Sequence, residues 1–73
     1  MNRIRKGFFD MWISVKDRLP EVGEDVLVFV TGGYMTIGCL GLDGIFYDVN
    51  DSEGHDINPS HWMLLPEPPN TKR

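Results

Sequence analysis

The sequence predicts an all-β domain. Short apolar runs rich in β-branched and aromatic residues recur at close spacing. Glycine-containing turns separate them, and no segment carries a convincing 3.6-residue apolar period. Five strands in a chain of 73 residues point to a small, strongly bent barrel of the SH3-like kind or a compact sandwich. A short N-terminal appendage (1–11) precedes the single β domain (12–66), and a flexible, Pro-rich tail (67–73) follows it.

Two stretches bracket the chain. Trp12-Ile13-Ser14-Val15 leads into Arg18-Leu19-Pro20-Glu21, and His61-Trp62-Met63-Leu64 leads into Leu65-Pro66-Glu67. Each opens on a Trp and closes on Leu-Pro-Glu, where proline stops strand pairing because it has no N–H to donate. The first strand (12–15) and the last (62–65) are therefore expected to meet, with Trp12 and Trp62 largely buried.

Between them, Val26-Leu27-Val28-Phe29-Val30 is apolar at every position, as a central strand covered on both sides would be. Gly32-Gly33 reads as a two-residue hairpin loop, since glycine accepts the positive φ that such turns demand. The return strand runs from Tyr34 to Leu40, and Gly38 and Gly41 suggest a bulge or sharp bend. Asp43-Gly44 marks the next turn and Ile45–Val49 the fourth strand. Residues 50–60 form a polar loop anchored by Ile57.

Size and composition restrict the function classes. One small core supplies only a few kcal/mol, so oligomerisation or a ligand is a reasonable source of added stability. The lone Cys39 excludes an internal disulfide and fits a reducing compartment. No run approaches the roughly 20 apolar residues of a membrane span, and no apolar stretch follows Arg3, Arg5 and Lys6 as in a signal peptide. Between residues 11 and 71, Lys16 and Arg18 are the two cations against ten carboxylates, which leaves the body near −8. Direct binding to a nucleic-acid backbone is not expected of such a surface. A solvated exterior accounts for the charge, and so does an acidic face that meets a basic partner or imitates nucleic acid.

No catalytic or metal constellation emerges. Asp48–Pro59 fails the EF-hand pattern, with Glu53 at the sixth place and Pro59 at the twelfth. Cys39, His55 and His61 lack zinc-ligand spacing, and Ser14, Ser52 and Ser60 have no nucleophile setting. Neither cofactor nor enzyme activity is expected. Trp12, Tyr34, Tyr47 and Trp62 are mostly core material. If some of them lie open near Arg18, they could instead hold a planar ring while the guanidinium takes a phosphate or carboxylate. His61, at a strand start, fixes the last loop or joins that pocket. Trp12, Arg18, Tyr34, Tyr47, His61 and Trp62 are the candidate ligand-binding residues.

The two bracketing signatures, with Val26-Leu27-Val28 between them, resemble domain-of-unknown-function family 551, over roughly residues 12–69. Leu64 departs from the family's usual proline, and Phe46 stands where Trp is expected. The resemblance implies a short bacteriophage or prophage accessory protein working in the host bacterial cytoplasm, and it carries over no catalytic residues. The expected function is non-enzymatic binding that interferes with a host component, in the setting of counter-defence. Two modes stay open, capture of a small nucleotide-like signalling molecule by an aromatic pocket and blockade of a host protein by the acidic surface or an exposed strand edge. A small structural domain or an enzyme is the third class.

Overall fold

A computed structural model describes residues 11–66. The appendage before Met11 and the tail after Pro66 lie outside the described residues. Six strands form one antiparallel sheet: β1 (Ile13–Ser14), β2 (Asp25–Val30), β3 (Tyr34–Leu40), β4 (Phe46–Asp48), β5 (Asp56–Ile57) and β6 (Pro59–Leu64). Their order is β1-β6-β2-β3-β4-β5. The ends of the domain do meet, with Ile13 opposite Trp62 and Ser14 opposite His61.

The sixth strand comes from the polar loop. Asp56-Ile57 pairs with β4, and after Asn58 the chain continues as β6 on the far side of the sheet. Asn58 thus joins two strands that the ladder places four positions apart. The sheet must curl hard enough for its β5 edge to approach β6. The Asn58 carbonyl accepts from the Thr31 N–H at 3.0 Å, and the Ser60 carbonyl from Val15 N–H at 3.0 Å. The hydrogen-bonded ladder itself is open between β1 and β5, so this is a curled sheet rather than a closed barrel.

Curling buries one face. Val26 and Val28 are fully buried and Val30, Leu40, Phe46 and Trp62 nearly so, with Ile13, Val15 and Ile57 packed against them. Burying each such large side chain is worth about 1.5–3 kcal/mol. Alternation then sends Leu27 and Phe29 to the opposite face, where Phe29 is 38% exposed. The expectation that β2 is covered on both sides is therefore corrected: among the described residues its second face is open. Trp12 is corrected for the same reason. Ile13 takes the core position beside Trp62, so Trp12 falls on the outer face and is half-buried.

The hairpin also differs from expectation. Val30 pairs with Tyr34, which leaves a three-residue loop, Thr31–Gly33. Thr31 leaves the ladder to bond Asn58, and the glycines supply φ of 117° and 106°. The register irregularity lies between Phe29 and Val30 against β6. Gly38 is not at a bulge. It lies in regular register opposite Val26 and Asp48, and its missing side chain makes room for Ile57. A Cβ there would stand 3.1 Å from Ile57 Cδ1 and 3.2 Å from Val28 Cγ2.

Candidate binding surface

The outer face is assembled by period-2 alternation in four strands. Phe29 stands opposite Met35 on β3 and opposite His61 on β6. Leu27 stands opposite Ile37 and Met63. Trp12, just before β1, reaches over and meets Phe29 edge-on, with ring centroids 6.3 Å apart and planes at 72°. Trp12, Phe29, Met35 and His61 line a shallow depression of about 380 Å³. Met35 is 58% exposed. The His61 ring is steadied by its neighbour, with Nδ1 2.9 Å from the Ser60 hydroxyl.

Charge is distributed unevenly over this face. From Met11 to Pro66, Lys16 and Arg18 face nine carboxylates. Asp25, at the start of β2, is the one carboxylate of the nine among the outward residues of β2, β3 and β6. The outward carboxylates lie at the margin, Asp25 at the start of β2 opposite Cys39 and Asp56 on β5 opposite Tyr47. Asp43 accepts a hydrogen bond from the Tyr47 hydroxyl beside them. That bond, together with the Ile45 N–H, holds the Asp43 carboxyl below its usual range. It also raises the Tyr47 phenol above its own, with the Asp43 and Asp56 charges adding to the effect.

The six candidate residues sort by face. Trp12, His61 and Tyr47 lie on the outer one, and Tyr47 belongs to its acidic margin. Trp62 is 3% exposed and fills the core. Its indole N–H donates to the Arg18 carbonyl at 2.8 Å, and the Arg18 guanidinium stacks over its ring at 5.7 Å. Tyr34 pairs with Val30 at the hairpin end and faces away from Met35. Arg18 therefore sits apart from Trp12 and His61. It lines two depressions, one with Glu21 and Glu24, whose charges oppose an anionic ligand, and one with Met11, Ile13, Met63 and Leu64, which offers no aromatic ring. Phe29 and Met35 were not among the candidates. The run 26–30 is apolar throughout and does not single out Phe29, and a two-residue loop at Gly32-Gly33 would have set Met35 opposite Val30 rather than Phe29.

Among the described residues, no group of three His, Cys, Asp or Glu side chains is placed to hold a metal ion. His55 Nδ1 pairs with Asp51 at 2.5 Å in the β4–β5 loop, with Glu53 3.5 Å from its other nitrogen. No helix among them is long and apolar enough to cross a membrane.

Among the described residues one sheet face is folded into a core and the other is left open, and a small all-β domain is the class these features define. The chain belongs to the family described as Protein of unknown function (DUF551), whose sequence profile matches residues 11–70. It is similar to the Eaa protein of Salmonella phage P22, at 35% identity over 66 residues, covering 80% of this chain and 19% of that protein. The chain thus spans about a fifth of that relative's length. Family and relative make it a phage-associated protein. No solved structure matches it.

Proposed function

We propose that this chain is a non-enzymatic binding module of a phage accessory protein, acting in the host bacterial cytoplasm by engaging a host protein and interfering with it. The observation that carries this reading is the outer sheet face, where Phe29 and Met35 lie open beside half-buried Trp12 in a depression lined by no carboxylate on an otherwise acidic body. Aromatic and methionine side chains give large contact area and adapt to a partner's shape. Capture of a nucleotide-like molecule is less well supported. Such a ligand needs a cation beside an open aromatic surface, and Arg18 stacks on buried Trp62 and does not line the depression of Trp12 and Phe29.

Photo-crosslinking in phage-infected host cells tests this. A photoreactive residue is placed at Met35, and in a second protein at Leu42, which is 94% exposed on the β3–β4 turn. Crosslinking of one discrete host protein from position 35 and not from 42 is the expected result. It should vanish when Phe29→Ser is added. Equal crosslinking from both positions, or none from 35, contradicts the proposal. A defence component among the crosslinked products would narrow the role to counter-defence.

A further inference from the structure

We infer that the occupant of the outer face is an extended, cationic protein segment, carrying one large apolar or aromatic anchor with a Lys or Arg about four residues away. This rests on the binding role proposed above and specifies the chemistry of the partner. The apolar centre and the acidic margin of the face are at fixed separations. Phe29, the middle of the anchor depression, and Asp25 lie on the same strand and the same side, about 13 Å apart at strand rise. Asp56 lies in the same cross-strand row as Asp25, through Cys39 and Tyr47, about 14 Å from Asp25 and about 19 Å from Phe29 at the usual strand rise and spacing. An extended chain covers the Phe29–Asp25 distance in about four residues and the longer Phe29–Asp56 distance in about six.

The chemistry follows from what each end offers. The depression between Trp12, Phe29, Met35 and His61 presents ring faces, a thioether and no carboxylate. At the margin, Asp25 and Asp56 are exposed, with Asp43 nearby on the Tyr47 hydroxyl. A segment with negative charge would be repelled there. A purely apolar one would leave the acidic margin unused. The strand edges are poor alternatives for such a segment. β5 is two residues long, and the Ser14 carbonyl of β1 already accepts from Asp17 and Arg18 N–H.

Residues 1–10 carry Arg3, Arg5, Lys6, Phe8 and Phe9 and share this composition. A second copy of the chain could present the same face. Both are separated from the proposed occupant by experiment. The full chain, labelled with nitrogen-15, is titrated with a synthetic peptide bearing Phe and Arg at the stated spacing. An otherwise identical peptide with Glu for Arg, and one with Ala for Phe, serve as comparisons.

The Phe/Arg peptide should shift the amides around Trp12, Phe29 and Met35 together with those of Asp25 and Asp56, and weaken as salt is raised. The other two peptides should bind at least about tenfold more weakly. Asp25→Asn with Asp56→Asn should remove the preference for Arg over Glu. Equal binding of the Glu peptide overturns the inference, as does a preference that survives the double substitution. Shifts of the same amides that depend on protein concentration without peptide assign the face to a second copy and also overturn it. Markedly tighter peptide binding on deleting residues 1–10 assigns the face to that segment and overturns it. These outcomes leave the crosslinking result at Met35 independent, so the binding role and the occupant's chemistry fail separately.

Discussion

Trp62 joins the core to the turn that follows β1. Its ring is buried beside Val28 and Ile13, while its N–H holds the Arg18 carbonyl from 44 positions away in sequence. Trp62→Ala should cost about 3–5 kcal/mol, most of what a domain this small possesses. Trp62→Phe keeps much of the volume but loses the hydrogen bond, at about 0.5–1.5 kcal/mol. Denaturant midpoints of the two variants check the order, and equal loss in both would contradict it. His55 gives a pH prediction. Its bond to Asp51 and the Asp51 charge raise the imidazole pKa above its ordinary value, while the Glu53 N–H and His55 hold the Asp51 carboxyl below its own. The raised His55 pKa contributes stability at low pH that is lost as pH rises through it. The lowered Asp51 pKa contributes stability that is lost as pH falls through it. The pair therefore holds the β4–β5 loop best between the two. An NMR titration should show His55 titrating above the usual range, and Asp51→Asn should return it there.

At the scale of the element, Gly38 decides whether β3 can lie beneath Ile57. A methyl group there must displace Val28, which is fully buried, or Ile57, which ties β5 to the core. Gly38→Ala should destabilise by about 1 kcal/mol or more through overpacking. Ile57→Val in the same chain should recover part of that loss, a non-additivity that equilibrium unfolding measures directly. Gly38 also shows how far elements were legible. Pattern alone gave β2, β3 and the pairing of the terminal strands, because β-branched runs and proline stops act locally. It did not give β5 or the start of β6. Asp56–Ser60 is polar, and it pairs only because the curled sheet brings β4 and β2 to it. The three-residue hairpin loop escaped likewise, since Thr31 leaves the ladder for Asn58, a partner distant in sequence.

For the whole molecule, the division of the sheet into a curled inner face and an open outer face governs the functional reading. The candidate residues were chosen as aromatics near a cation, and the fold separates them. Trp62 and Arg18 go to the core and its lid, and Trp12 and His61 to the outer face. Phe29 and Met35 complete that face, and only strand register shows it. Nothing in local composition distinguishes Phe29 from the valines on either side. The surface charge points the same way, for the acidic body leaves the depression between Trp12, Phe29, Met35 and His61 without a carboxylate. The central claim is that binding resides on this face and that Arg18 serves the fold. The most direct measurement is a titration of the host protein crosslinked from Met35 against two folded variants of the full chain. The combined Phe29→Ser and Met35→Ser variant should lose at least about tenfold in affinity, while Arg18→Lys stays close to the unaltered protein. A tenfold loss with Arg18→Lys, and none with the outer-face variant, would contradict the account.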